Sequence, residues 1–141
     1  MKILMISREL PSLSSALTFR VLNSIEYLSQ KHKHNITLVS FKYLGSESKC
    51  DEIYLKKFCD KIETVDIPAS FSKRITCYTI DCVKHIVSGD LRSVLDYSFS
   101  CEMQMKISEL LKREKFDVIF VDTPYMLFYV SDVNLPKVLE I

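Results

Sequence analysis

Short apolar runs that alternate with helical patterns constrain the fold of this chain more than any other feature. Two of the runs, "KILMIS" and "FDVIFVD", are nearly continuous in apolar residues, as strands covered by helices on both faces are. The more polar run "IETVDI" is typical of a sheet edge. In all, five segments have the length and composition of strands: 2–7, 35–41, 62–67, 116–122 and 137–141.

Between the strands, apolar residues recur with the spacing of one helix face. The pattern in 51–59 predicts a short helix with Ile53 and Phe58 facing inward, and the pattern in 99–114 predicts a longer, amphipathic one. The segments with this spacing are 15–31, 51–59, 71–87 and 99–114. Strands and helices therefore alternate along the whole chain.

This alternation predicts parallel strands joined by right-handed crossovers. We expect an α/β fold with a doubly wound, mainly parallel, Rossmann-like sheet in three α/β/α layers and the strand order 3-2-1-4-5. Ligands of such sheets bind beyond the carboxyl ends of the strands, where the winding reverses. Here that crevice lies between the first and fourth strands, and residues 8–15 and 122–126 flank it.

The composition argues against several classes of function. The chain has 141 residues, enough for one domain, and a net charge of +1, which argues against nucleic-acid binding driven by bulk charge. We found no run that could span a bilayer and no secretory pattern at the N-terminus, so we expect a cytoplasmic protein. The number of cysteines, five, is odd, and no two of them are spaced as C-x-x-C. This argues against a disulfide framework and against a zinc site.

Four stretches, in order along the chain, resemble successive pieces of one known family. "MKILMISRELP" resembles its opening strand and loop, and "FRVLNSIEYLSQKHKHNITLVSF" its first helix and second strand. "SGDLRSVLDYSFSCEMQMKISELLKREKFDVIFVD" resembles the helix and strand that follow later, and "LPKVLEI" the strand that usually continues into a His-Asp or His-Asn pair. Together they resemble the N-terminal half of a family 4 glycosyltransferase of the GT-B type, which has two Rossmann-like domains.

The resemblance implies that the whole protein moves a sugar from a nucleotide-sugar donor to a hydroxyl acceptor, a glycan or a lipid-linked molecule. Residues 1–141 would be the acceptor-side domain, and a C-terminal domain of the same protein would hold the nucleotide. Because the last run looks like a central strand that stops without a closing helix, we expect the chain to be a fragment that is inactive alone. The resemblance implies no metal and no cofactor, with the nucleotide sugar as substrate.

The resemblance also assigns candidate substrate-binding residues in the first loop and helix. The Gly-Gly pair of the family, which lets a diphosphate approach the backbone, aligns with Ala16 and Leu17. Ser14, Ser15 and Ala16 would contact the donor diphosphate, and Arg20 would bind a phosphate or an acceptor carboxylate. Alternatively, Ser14 or Ser15 caps the helix and Arg20 is a solvated arginine.

Asp122 is the catalytic candidate within the chain. It follows a buried strand, where a carboxylate is costly unless it is used or paired. It could bind an acceptor hydroxyl or assist a base, with Thr123 and Tyr125 as further substrate-binding candidates in the same crevice. The alternative interpretation is an N-cap for a short helix 125–130. The family's usual base, a histidine, would lie just beyond Ile141.

Two features of the sequence leave other interpretations open. The aromatic and basic residues of 71–97 could contact the inner face of the cell membrane as a peripheral protein does, although helix packing with a solvated basic edge is the preferred explanation. The chain could also be a stand-alone Rossmann-like nucleotide-binding domain or a receiver-type interaction domain. A nucleotide-binding domain of this kind requires a G-x-G-x-x-G motif, which is missing. A receiver-type domain requires an acidic pair after strand 1, where the sequence has only Glu9.

Overall fold

The computed structural model describes residues 1–16, 18–43, 48–67 and 100–140. The predicted helix 71–87 and the proposed membrane-contacting segment lie outside the described residues, as does Leu17. The elements in chain order are β1 (Lys2–Ser7), α1 (Phe19–Gln30), β2 (Asn35–Tyr43), α2 (Ser48–Leu55), β3 (Lys61–Ile67), α3 (Cys101–Arg113), β4 (Val118–Val121), a 3-10 helix (Pro124–Val130) and β5 (Lys137–Leu139).

The five strands form one parallel sheet in the order β3-β2-β1-β4-β5, which confirms the predicted fold class and strand order. In the centre of the sheet, Ile6 of β1 lies opposite Val39 of β2 and Val121 of β4. The polar run that became β3 is an edge strand, as predicted. Among the described strands, β5 pairs with β4 on the side away from β1, and its Val138 is 47% exposed.

Side chains that alternate along the strands build an apolar core on each face of the sheet. The α3-side core combines Leu4 and Ile6 with α3 and the 3-10 helix. The α1-side core combines Met5 and Leu38 with the buried faces of α1 and α2. Full burial of one such side chain contributes about 1.5–3 kcal/mol. The helices thus cover both faces, which is the predicted three-layer arrangement.

The helices follow their apolar stripes with one exception. In α3, Met103, Ile107 and Leu110 form the buried face that the amphipathic pattern of 99–114 predicts, and the Ser100 side chain caps the helix by accepting from the Met103 amide at 3.3 Å. In α2 the expectation that Ile53 faces inward is wrong, because Ile53 is 64% exposed. Leu55 is buried instead, and two residues separated by two positions point to nearly opposite sides of a helix.

Charged residues at the amino edge of the sheet pair with one another. Glu114, after α3, lies 2.7 Å from Lys2 and 3.5 Å from Lys61, and these lysines lower the pKa of its carboxyl group. Glu63 of β3 lies 3.2 Å from Lys61 and 3.6 Å from Lys106 of α3. These exposed pairs each contribute little, but they connect β1, β3 and α3. Within the described residues, no helix has the length and apolar character needed to cross a membrane.

Candidate functional site

The candidate site lies where β1 and β4 end side by side at the carboxyl edge of the sheet. The amide of Asp122 donates to the carbonyl of Ile6 at 3.1 Å, so the ladder between the two strands continues one residue past β4. Asp122 thereby comes to lie beside Ser7, with only 8% of its surface exposed. This is the point where the winding of the sheet reverses, the usual ligand position of the fold.

The Asp122 carboxylate accepts hydrogen bonds from two groups of the β1 end. The Ser7 hydroxyl donates to Oδ2 at 2.7 Å, and the Arg8 amide donates to Oδ2 at 3.0 Å and to Oδ1 at 3.2 Å. The alternative role of Asp122 as a helix cap is wrong, because Thr123 holds the N-cap position of the 3-10 helix. The carboxylate instead turns toward the Ser7 hydroxyl and the Arg8 amide, donors that the end of β1 supplies.

Burial raises the pKa of the Asp122 carboxyl group above its usual value, and this effect exceeds the opposing effects of the Ser7 hydroxyl and the Arg8 amide. The Thr123 side chain also lies near enough to lower this pKa, although its buried hydroxyl forms no hydrogen bond of good geometry. A carboxylate whose pKa is raised accepts a proton more readily than an exposed one. Such groups in a crevice are typical of binding and catalytic sites.

The loop between β1 and α1 is held by its own polar groups. The Ser12 amide donates to the Thr18 hydroxyl at 3.1 Å, and the Ser14 amide donates to the Ser12 hydroxyl at 3.1 Å. The hydroxyls of Ser12 and Ser14 are 2.8 Å apart and share a further hydrogen bond. The prediction that Ser14 or Ser15 caps the helix is wrong, because α1 begins at Phe19 and Thr18 is its N-cap residue. The Thr18 hydroxyl holds the loop rather than the first turn of the helix.

Several amides near the start of α1 are already bonded within the protein. The Ser15 carbonyl accepts from the amides of Thr18 and Phe19 at 3.2 and 3.0 Å. Together with the amides of Arg8, Ser12 and Ser14, five backbone donors of this region have partners in the chain. A diphosphate that used these donors would have to break existing hydrogen bonds. These hydrogen bonds therefore stabilise the present conformation of the loop and disfavour anion binding by the same amides.

The other predicted residues lie in the first loop, on the first turn of α1 and at the start of the 3-10 helix. Ala16 is exposed at the end of the loop, and Arg20 is exposed on the first turn of α1. Thr123 is partly buried, and Tyr125 is 48% exposed on the 3-10 helix. Hydrogen bonds join Asp122 to the beginning of the loop at Arg8, whereas Ser14 is bonded to Ser12 farther along. The roles of these residues toward a substrate stay predictions.

Sequence reasoning missed a row of polar side chains, one from each strand, that crosses the sheet at the level where β1 and β4 end. The register pairs Ser7 with Ser40 and Ser40 with Thr64. Ile6 and Val39, which precede the two serines, and Val65, which follows Thr64, belong to the α3-side core, so the polar side chains lie on the α1 side of the sheet. Asp122 extends the row on β4, and Glu140, whose amide donates to the Val121 carbonyl at 2.9 Å, extends it past β5. We call these five residues the polar row: Thr64, Ser40, Ser7, Asp122 and Glu140.

A sequence signal for the polar row existed. In "KILMIS" and "ITLVS" a serine stands at or near the end of an apolar run, as Asp122 does after "VIFV". The signal is visible only when the runs are aligned in the register of the sheet. Within the ranges that the structure describes, no three histidine, cysteine or acidic side chains form a group that could hold a metal ion.

Comparisons with known proteins bear on the fold alone. No protein-family model and no curated protein matches the chain. The chain is similar to two crystal structures of the C-terminal domain of a hydrogenase from Pyrococcus furiosus, with TM-scores of 0.57 and 0.58 and 16% sequence identity. Each match covers 99% of this chain and 90% of the other. At this identity the likeness supports the Rossmann-like architecture and carries no activity with it.

Proposed function

We propose that this chain is the acceptor-side domain of a glycosyltransferase of the family 4, GT-B type. In this proposal the whole protein moves a sugar from a nucleotide sugar to a hydroxyl group of a glycan or lipid-linked acceptor, during synthesis of a cell-surface glycan or glycolipid. Its own C-terminal domain holds the nucleotide, and the reaction takes place between the two domains on the cytoplasmic side of the membrane. The proposal rests on the co-linear sequence resemblance together with the site at Asp122.

The observation that carries the proposal is the buried Asp122 carboxylate at the point where the sheet reverses its winding. A hydroxyl group that enters the crevice can donate a hydrogen bond to this carboxylate, which orients its oxygen for attack. Because burial raises the pKa of Asp122, the carboxylate can also accept the hydroxyl proton as the new bond forms. Thr123 and Tyr125 follow Asp122 in sequence and would contact the same acceptor.

The first loop and the start of α1 would face the donor. Ser14, Ser15 and Ala16 would lie along the diphosphate, and the exposed Arg20 would bind one of its phosphates. Since many loop amides are already bonded, most of the charge of the leaving diphosphate would be neutralised by the second domain. This division of work explains how a chain without the glycine pair could still serve a glycosyltransferase.

The test uses the product of the complete gene with a panel of nucleotide sugars and neutral glycoside acceptors. Asp122→Asn is expected to lower kcat by about 100-fold or more, the usual effect of removing a group that transfers protons. Asp66→Asn is the matched control, because Asp66 is an exposed carboxylate near the end of the edge strand β3. Residues 1–141 alone are expected to transfer no sugar.

Three outcomes would contradict the proposal. The complete protein could consume no nucleotide sugar, Asp122→Asn could keep a kcat within about threefold of the unmodified protein, or residues 1–141 alone could match the rate of the complete protein. Calorimetric titration with NAD and with nucleotide sugars would identify the alternative directly. Binding of NAD alone would support a stand-alone nucleotide-binding domain, and uptake of acetyl phosphate would support a receiver-type domain.

A further inference from the structure

The polar row changes the chemistry of the α1-side face abruptly. Two residues earlier on the strands, the same face carries apolar side chains, with Leu38 and Met5 at its centre in the α1-side core. Ile62 and Phe120 pack against that core from β3 and β4. The next side chain on this face is polar on all five strands, at the level where β1 and β4 end, while β2 and β3 continue to Tyr43 and Ile67. A sheet that needed only a core at this position would continue its apolar pattern under the helices.

Two members of the polar row have hydrogen-bonding capacity that the protein leaves unused. Ser40 is fully buried, and its hydroxyl has no partner. Glu140 is partly buried, and its Oε2 atom is shielded from solvent without a hydrogen bond. Buried polar atoms are almost always paired in folded proteins, so unpaired ones indicate a missing partner. Both atoms belong to the same row as Asp122, on the same face of the sheet.

The register places the two acidic residues of the row side by side on neighbouring strands. Val121 pairs with Leu139, so the next residues on these strands, Asp122 and Glu140, stand opposite each other. Neighbouring strands lie about 5 Å apart. Leu139 packs against the α3-side core, which directs Glu140 toward the opposite face, where Asp122 lies. A ligand that spans about 5 Å can contact both carboxylates.

The charge of the polar row selects the kind of ligand. Its members are two carboxylates and three hydroxyls, and the amide nearest to Asp122, that of Arg8, is already bonded to it. The row therefore offers mainly acceptors and repels an anion. A neutral molecule with several hydroxyl groups supplies the donors that Asp122 and Glu140 can accept, and each of its oxygens can also accept from a serine or threonine hydroxyl.

We infer that the polar row is the floor of a binding site for the hydroxyl groups of a sugar ring, with Glu140 and Ser40 as binding residues beside Asp122. The inference rests on the proposed function for one point only, which is that this sugar is the acceptor. It adds two binding residues that the sequence resemblance does not assign. It also separates this sugar site from the loop at the start of α1, which would face the donor.

Equilibrium binding tests the inference independently of catalysis. The full chain is titrated with the methyl glycosides of glucose, galactose, mannose and N-acetylglucosamine, and binding is followed by saturation-transfer NMR. Glu140→Gln is expected to lower the affinity for the glycoside that binds best by at least about tenfold, as the loss of a hydrogen bond to a charged group does. Ser40→Ala is expected to lower the affinity for the same glycoside by about threefold or more.

Glu102→Gln on the exposed first turn of α3 is the matched control and is expected to bind as the unmodified chain does. Thermal unfolding of each variant separates lost binding from lost folding, and Ser40→Ala should fold well because it removes an unpaired buried hydroxyl. Titration with inorganic phosphate and with Mg²⁺ alone tests the two other kinds of ligand.

Each outcome bears on one proposal. No binding of any glycoside, unchanged binding by Glu140→Gln and Ser40→Ala, or a tighter Glu140-dependent interaction with phosphate or Mg²⁺ would overturn the sugar site. Glycoside binding that depends on Glu140 supports it even if the complete protein transfers no sugar, in which case only the proposed function fails. Sugar transfer that is insensitive to both substitutions would keep the proposed function and remove Glu140 and Ser40 from its site.

Discussion

The Ser7 hydroxyl donates a 2.7 Å hydrogen bond to Oδ2 of Asp122, and this bond joins the ends of two strands whose residues are 115 positions apart. The Arg8 amide donates to the same carboxylate, so Asp122 also fixes the first residue of the loop before α1. One buried group therefore holds β1, β4 and the loop together at the candidate site. Its protonation is expected to affect both stability and activity.

Asp122 should make the stability of the protein depend on pH in a defined direction. Burial raises its pKa in the folded state above the usual 3.8, so the folded protein binds more protons than the unfolded chain between these two pKa values. The stability that Asp122 contributes is therefore complete below about pH 4 and is lost as pH rises through the folded-state pKa. Relative to Asp122→Asn, the unmodified protein should become less stable over that interval.

Urea unfolding of the two proteins from pH 3 to pH 8 measures this difference and cancels the titration of groups that they share. Asp66→Asn serves as the control for the loss of one exposed negative charge. A gain in stability of the unmodified protein over Asp122→Asn with rising pH would show that the hydrogen bonds from Ser7 and Arg8 outweigh burial.

Thr18 should be essential for the shape of the first loop. Its hydroxyl accepts from the Ser12 amide at 3.1 Å, and both residues are buried. Thr18→Val keeps the side-chain volume but leaves this amide without a partner, which should lower the free energy of unfolding by about 1–3 kcal/mol. Thr18→Ser keeps the hydroxyl and should cost less. Faster hydrogen exchange of the Ser12 amide in the valine variant alone is the expected signature, and equal exchange in both variants would contradict it.

Tyr129 should contribute to stability through its hydroxyl group. The ring is buried against Phe41, and the hydroxyl accepts from the amide of Ser100, the N-cap residue of α3, at 2.7 Å. Tyr129→Phe removes this acceptor and should lower the free energy of unfolding by about 0.5–1.5 kcal/mol in urea titrations. Tyr125→Phe is the control, because Tyr125 is 48% exposed. This substitution should change the free energy of unfolding by no more than about 0.5 kcal/mol. Equal effects of the two substitutions would rule out the role of the Ser100 contact.

Cys59 should react with thiol reagents only when the protein unfolds. Burial, with a smaller contribution from the neighbouring Asp60, raises the pKa of its thiol to about 12. The reactive thiolate is therefore almost absent at pH 8, and the surrounding core blocks access. Cys101 is exposed at the start of α3 and should be alkylated in the native protein. Peptide mapping after iodoacetamide treatment distinguishes the two, and native labelling of Cys59 at the rate of Cys101 would contradict its burial.

The strands and the helix α3 could be predicted because their signals are local. The continuous apolar run of β1 requires helices on both faces, and the stripe of Met103, Ile107 and Leu110 requires one buried helix face. The failures are also instructive. Ile53 and Leu55 are both apolar and lie on nearly opposite sides of α2, and local spacing does not say which one meets the sheet. Ser14 and Ser15 were expected to cap α1, but Thr18 is its N-cap residue.

The candidate site was predictable in position but not in its contacts. Asp122 was identified because a carboxylate after a buried strand is costly unless it is paired or used. The predicted strand order then placed it where the winding reverses. Its partners were not predictable, since Ser7 and Arg8 meet it only through the register of β1 and β4. The same is true of Glu140 and Ser40, which share a row with Asp122 only after four strand pairings are aligned.

The sequence by itself determined the parallel α/β fold, the order of its strands and the edge of the sheet at which polar groups collect. Each of these follows from apolar patterns within segments shorter than about 20 residues and from general rules of chain connection. The tertiary structure alone decided that Asp122 bonds to the end of β1 instead of capping a helix, and that Thr18 rather than Ser14 or Ser15 stands at the start of α1. The Asp122 contact joins residues 115 positions apart, which no local spacing records. The start of α1 is a local choice among several hydroxyl-bearing residues, and the spacing of apolar residues does not decide between them.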